Sequence, residues 1–209
     1  MLQQTVDKVV VHIVDDDESL RRAVDSLCRS VGFQTRTYGS AQEFLDAKQD
    51  DLPGCLVLDV RLPGISGLDF QLQLVELGIH LPVILVTGHG DVPMSVRAMK
   101  AGAVDFLPKP FRDQDLLDAV TAAVDRDRSR RLADGDANVL RDRFLTLSPR
   151  EKQVMMLVTT GKMNKQVAGD LGLSEITVKI HRAAAMRKMG ARTLADLVRM
   201  ADALTPKSP

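Results

Sequence analysis

Hydrophobic positions in the first 124 residues fall into two patterns that take turns along the chain. Largely apolar runs of four to six residues, interrupted only by His12 and Asp105, occupy 9–14, 55–58, 82–86 and 104–107. Runs of this length read as strands buried on both faces, as in a parallel sheet. Residues 33–38 add a short, more polar strand. Between the runs the apolar residues recur every three or four positions, as on one face of a helix. Leu20, Val24, Leu27, Cys28 and Val31 share such a stripe in 18–31, and Gly32 stops it. Ser40 opens a helix through Phe44 and Leu45, with Glu43 completing a capping box. Further helices are predicted over 67–77, 91–101 and 113–124, giving five βα units. Such alternation implies a parallel sheet with right-handed crossovers and helices on both faces. The flavodoxin-like strand order 2-1-3-4-5 is the expected topology.

After 124 the pattern changes. Residues 125–143, DRDRSRRLADGDANVLRDR, are nearly all charged, with Gly135 in the middle. Opposite charges three and four apart can support an exposed helix on either side of the glycine, so a partly helical, mobile linker is expected. Residues 144–209 then read as an all-α domain of four helices. Ser148-Pro149-Arg150-Glu151 is a capping box with proline at the first helical position. Helices follow over 164–171, from Ser174 to about Met189, and over 193–203, with Gly161, Gly172 and Gly190 as stops. Two of these joined by a short glycine-containing turn match a helix-turn-helix. The expected division is therefore 1–124, linker 125–143, and 144–209.

Composition adds a constraint that the elements do not. Among 209 residues, 28 Lys and Arg balance 28 Asp and Glu. The balance hides an asymmetry: 1–125 carries 11 basic and 19 acidic residues, a net of −8, and 126–209 carries 17 and 9, a net of +8. An acidic half and a basic half suggest a cation-binding and a polyanion-binding domain, although the halves can also simply attract each other. No apolar run approaches the roughly 20 residues that span a bilayer, and no secretory signal is visible at the start. Cys28 and Cys55 form no metal-type pair, so buried free thiols in a reducing cytoplasm are expected.

The chemistry gathers at strand ends. The stretch 55–67, CLVLDVRLPGISG, is a buried strand ending on Asp59. Open α/β sheets bind ligands at that edge. A carboxylate there can be a nucleophile, a metal ligand or only the cap of the next turn. In the expected topology Asp15, Asp16, Asp59, Thr87 and Lys109 all lie at carboxyl ends of strands, with three carboxylates meeting between strands one and three. Packed carboxylates repel unless protonated or bound to a cation, and a hard divalent ion with oxygen ligands, Mg²⁺ above all, resolves that. With an ammonium and a hydroxyl beside it, such a site can stabilise in-line phosphoryl transfer onto a carboxylate.

The segments VDDDE, LDVRLPGISG, VTGHGD and DFLPKPF together resemble the receiver domain of bacterial two-component response regulators over residues 8–124. The resemblance implies that Asp59 accepts a phosphoryl group from a sensor histidine kinase. It implies that Asp16, Asp59 and the backbone carbonyl of Arg61 hold Mg²⁺, with Asp15 assisting through water. Thr87 would bond the phosphoryl group, Lys109 would pair with it, and the Lys109-Pro110 peptide would be cis. Phe106 matches the aromatic that turns inward as Thr87 moves, though it reads equally as plain core. The face of the fourth helix and fifth strand would form the dimer interface, and Arg61 and His89 fall where the family tunes phosphate lifetime. Asp17 is open to reading as a helix cap.

In the basic half, the segment LSPREKQVMMLVTTGKMNKQVAGDLGLSEITVKIHRAAAMRKM is similar to the helix-turn-helix output domain of LuxR/NarL-type regulators. On its third helix Val178, Ala185 and Met189 form a candidate buried stripe. The resemblance implies Thr177, Lys179 and Ile180 facing double-stranded DNA, with Lys165, Arg182 and Arg187 nearer the backbone. Ala183 departs from members with a polar residue there, leaving at most a thymine methyl contact. An amphipathic helix with a solvated basic face is the alternative for this segment alone. Aromatic content of 3% disfavours single-strand binding by base stacking.

The two domains together are similar to the FixJ subfamily, whose cognate partner is an oxygen-sensing haem kinase, FixL. The implied function is a phosphorylation-activated regulator, dimeric when phosphorylated, acting with RNA polymerase at promoters of nitrogen-fixation genes. It would not be an enzyme beyond slow self-dephosphorylation. A Mg²⁺-dependent phosphohydrolase would also use an Asp nucleophile, but the basic helical tail disfavours it. A constitutive DNA-binding protein with a receiver serving only as a scaffold would not need all five pocket residues.

Overall fold

The computed structural model describes residues 8–48, 51–88 and 91–204. The chain divides into two compact units, with the boundary between Arg131 and Leu132.

The first unit is a five-stranded parallel sheet in the order β2-β1-β3-β4-β5. Its strands are β1 (Val10–Val14), β2 (Gln34–Tyr38), β3 (Gly54–Asp59), β4 (Val83–Thr87) and β5 (Asp105–Pro108). The helices of this unit are α1 (Glu18–Ser30), α2 (Ala41–Asp46), α3 (Gly67–Glu76), α4 (Val92–Lys100) and the start of α5 (Asp113–Leu145). Every residue of the three central strands is buried, whereas in the edge strand β2, QTRTY, Tyr38 alone is buried. The two-residue period of a strand sends alternate side chains into two separate cores. Val11, Ile13, Cys55, Val57, Ile84 and Val86 meet α1 and α5 on one face. On the other, Leu56, Leu58 and Leu85 meet Phe44 of α2, Phe70 and Leu74 of α3 and Ala98 of α4. Cys28 and Cys55 are free and buried in the first of these cores. Burial pushes the Cys28 thiol up to about 11, and Cys55, sealed completely, is also shifted upward.

Two local expectations change. Glu43 does not close a capping box on Ser40. Its carboxylate accepts from the Gly39 N–H at 2.7 Å, while the Ser40 hydroxyl accepts from the Glu43 N–H. More importantly, the charged stretch 125–143 is helical throughout, because α5 runs unbroken for 33 residues from Asp113 to Leu145, past Gly135. Its polarity misleads because only its ends need to be apolar. Leu116, Ala119, Val120, Ala123 and Val124 pack under the sheet, and Leu140 and Phe144 pack into the second unit's core. Between them, Asp127 is fully buried, paired with Arg130 and Arg131 (both 2.6 Å) and accepting from the Gly54 N–H at 3.1 Å. That carboxylate ties the helix to the foot of β3 with charge-assisted bonds.

The second unit holds α6 (Pro149–Thr159), α7 (Asn164–Leu171), α8 (Glu175–Met189) and α9 (Leu194–Leu204). Ser148 and Glu151 form the predicted capping box on α6. The core is built from Val154, Met155, Val158, Val167, Val178, Ala185, Met189 and Leu197. Lys188 on α8 pairs with Glu151 at 2.6 Å, and Arg143 donates to the Met189 carbonyl at 3.0 Å, tying α8 to the start of the unit. Among the described residues no helix is long and apolar enough to cross a membrane.

Candidate functional site

The sheet topology brings the acidic residues together. β1 and β3 are hydrogen-bonded neighbours in which Val14 lies opposite Leu58. The residues that follow, Asp15 and Asp59, therefore emerge side by side at the carboxyl edge. Carboxylate oxygens of Asp15, Asp16 and Asp59 lie within 4.8 Å of one another. Asp15 and Asp59 are buried, and Asp16 is exposed. Lys109 reaches over from the end of β5, placing Nζ 2.8 Å from Asp15 Oδ2 and 3.1 Å from Asp59 Oδ1. Thr87, fully buried at the end of β4, is held beside that loop by its backbone carbonyl, which accepts from the Lys109 N–H at 2.6 Å. The Lys109-Pro110 peptide is cis, as expected.

Burial holds the Asp59 carboxyl above the ordinary carboxylate range. The Lys109 ammonium opposes that shift, and Asp15 and Asp16 reinforce it. Lys109 is itself desolvated, which alone would lower its pKa, but Asp15 and Asp59 outweigh this and hold it above its usual value. Three carboxylates therefore face one ammonium. A divalent cation with oxygen ligands fits the excess negative charge, and the donor set, carboxylates with the Arg61 carbonyl nearby in sequence, suits a hard ion.

Several supports give no sign of themselves in the sequence. The Asp17 N–H donates to Asp15 Oδ1 at 2.8 Å, while the Asp17 side chain caps α1 by accepting from the Ser19 and Leu20 N–H groups. The cap reading of Asp17 therefore holds. Arg21, one turn into α1, donates to the Asp15 carbonyl at 2.5 Å. Gly67 matters because the loop after β3 folds back over the strand end. A Cβ there would lie 2.3 Å from the Asp59 carbonyl oxygen, and its N–H donates to the Val60 carbonyl at 2.8 Å. A glycine inside a PGISG turn signals a tight turn, but sequence does not reveal what the turn presses on.

Of the remaining predicted residues, Arg61 is exposed and forms an isolated antiparallel bridge with Ser66 across the same loop. Phe106 on β5 is half-buried against the α2–α4 core. His89 lies outside the described residues. In the second unit Val178, Ala185 and Met189 are completely buried, as the helical stripe required. Lys179, Ile180 and Arg187 are exposed and Thr177 and Arg182 half-buried on α8, and Lys165 is exposed on α7. Arg182 also donates to Asn164 at 3.3 Å, linking the two helices of the turn.

Comparison with known proteins agrees with both units. Residues 11–121 match the response regulator receiver domain, and residues 145–201 match the bacterial regulatory proteins of the luxR family. Nodulation protein W of Bradyrhizobium diazoefficiens is 60% identical over 197 residues, covering 94% of this chain and 87% of that protein. Transcriptional regulatory protein FixJ of Rhizobium meliloti is 46% identical over 191 residues, covering 91% and 94%. The solved structure of the response regulator StyR, 46% identical, superposes with a TM-score of 0.81 over 93% of this chain and 98% of that one. A receiver sheet with its carboxylates at the switch point, followed by a luxR-type helical domain and matched over more than nine-tenths of its length by these relatives, places the chain among the response regulators of the FixJ subfamily.

Proposed function

We propose that Asp59 is the phosphoacceptor of this regulator and that its modification drives dimerisation and promoter binding. The observation that carries the reading is Asp59 itself, a buried carboxylate at the end of a central strand, 3.1 Å from the Lys109 ammonium. An Asp59 oxygen attacks the phosphorus of a phosphohistidine on a sensor histidine kinase. The P–N bond breaks, and the leaving ring nitrogen takes up a proton. Lys109 then turns partly from the carboxylates towards the new phosphoryl oxygens, and the Thr87 hydroxyl bonds to one of them. Asp15, Asp16, Asp59 and the Arg61 carbonyl would hold Mg²⁺, which supplies positive charge against the negative charge that builds on the phosphoryl oxygens. Phe106, half-buried on the strand next to Thr87, is the switch residue that follows it inward. Slow self-dephosphorylation resets the protein, which turns over no other substrate.

The phosphorylated cytoplasmic chain forms a homodimer, and its two α8 helices enter successive major grooves. Thr177, Lys179 and Ile180 meet base edges, while Lys165, Arg182 and Arg187 neutralise phosphates. Bound upstream, the dimer engages RNA polymerase as an activator. The likeness to the FixJ subfamily supports nitrogen-fixation genes as targets and the oxygen-sensing haem kinase FixL as phosphodonor, active at low oxygen. Control of nodulation genes is a second reading, favoured by the 60% identity to nodulation protein W.

A small-molecule phosphodonor with Mg²⁺ tests the chemistry. Intact-mass spectrometry should find one phosphoryl adduct on wild type and none on Asp59→Asn. An adduct that survives in the variant overturns the assignment. Purified FixL, assayed with and without oxygen, separates the two target readings by whether it phosphorylates this chain.

A further inference from the structure

The outermost line of α8 carries an apolar ridge. Val178, Ala185 and Met189 are completely buried and fix the inward side of the helix. At 3.6 residues per turn, the line diametrically opposite runs through Ile176, Ile180, Ala183 and Arg187. Ile176 is 70% exposed and Ile180 62%, and Ala183 and Arg187 are exposed as well. Single exposed aliphatic residues are ordinary, but two isoleucines one turn apart on the crest of a surface helix form a contact surface. On the same helix Lys179 flanks it and Arg187 ends it, both exposed. Those cations repel a second copy of the same face and attract a polyanion.

We propose that Ile176, Ile180 and Ala183 read the 5-methyl groups of thymines, so that a short thymine-rich step is part of the recognised DNA sequence. The inference rests on the DNA-binding reading above and specifies its chemistry. Aliphatic side chains cannot distinguish hydrogen-bond donors from acceptors, and the thymine methyl is the apolar feature that the major groove presents. A rise of 1.5 Å per residue spreads the ridge over about 10 Å from residue 176 to 183, the length of about three base steps. Recognition is thus divided along the helix, with methyl contacts over the first two turns and a phosphate contact from Arg187 at the end.

The test begins by selecting duplexes from a random pool with the full-length, phosphodonor-treated protein. The recovered site is then synthesised with deoxyuridine in place of thymine at each position in turn. Removing a contacted methyl should weaken binding about fourfold per position, the scale of one buried methylene. Ile180→Ala and Ile176→Ala, which touch no core residue, should bind the thymine site more weakly. Each should also lose the deoxyuridine penalty at the position it contacts. If wild type binds deoxyuridine and thymine sites equally tightly, the methyl-reading inference is overturned while DNA binding stands. Recovery of no duplex at all sinks the DNA-binding reading and this inference with it.

Discussion

Replacing Asp59 by Asn removes one of three carboxylates that face a single ammonium. Lys109 keeps its 2.8 Å partner Asp15, so the substitution relieves repulsion without stranding the cation. In metal-free buffer Asp59→Asn should melt at a higher temperature than wild type. Added Mg²⁺ should raise the wild type more than the variant. A lower melting temperature for the variant would mean that the Lys109–Asp59 pair outweighs the crowding. Gly67→Ala tests the loop instead: its Cβ would lie 2.3 Å from the Asp59 carbonyl oxygen, and overpacking of that kind costs about 1–3 kcal/mol. Urea unfolding should register that loss together with slower phosphorylation, since the displaced backbone belongs to the proposed acceptor. The five pocket residues were legible in sequence because each ends an apolar run, and a parallel sheet brings such ends to one edge. Arg21, Gly67 and the Asp17 N–H were not. They act through backbone groups, and a residue's type does not reveal which carbonyl its neighbour donates to.

At the scale of elements, strands and most helices followed from periodicity, because burial on both faces and on one stripe leave different patterns. Helix α5 did so only over its first dozen residues; its unbroken course through 125–143 did not, since a solvated stretch has no periodic signal to give. What holds it is apolar packing at its two ends and, between them, the Asp127 cluster with Arg130, Arg131 and the Gly54 N–H. Gly135 is exposed within this helix and nothing lies within 4 Å of an added Cβ. Gly135→Ala should therefore stabilise the helix by about 0.5–1 kcal/mol, visible as slower amide exchange around residue 135. Unchanged exchange would place the helix ends elsewhere in solution. The α6 cap carries a pH signature. Glu151 is held below its usual value by the Lys188 ammonium first and the Ser148 N–H next. A carboxylate whose folded pKa is depressed contributes stability that is present above its unfolded value and lost as pH falls through the folded one. Scanning calorimetry of the full chain should show wild type above Glu151→Gln at neutral pH. The gap should close below about pH 4.5, the ordinary value for this group. A gap that persists in acid would assign the cap's value to packing.

For the whole molecule, the charge split of −8 and +8 makes a prediction that neither unit makes alone. DNA affinity should fall steeply with salt, and Lys165→Ala or Arg187→Ala should each reduce the logarithmic slope by about 1 for every phosphate left without its cation. A variant that weakens binding with an unchanged slope would be making base contacts instead. Everything downstream depends on Asp59 controlling assembly, so the decisive measurement is mass by light scattering. Wild type and Asp59→Asn would be compared with and without a small-molecule phosphodonor and Mg²⁺. The wild-type mass should double only with donor and Mg²⁺, and Asp59→Asn should stay monomeric throughout. Identical masses for the two proteins under every condition would contradict that control, and would make the chain a constitutive DNA-binding protein.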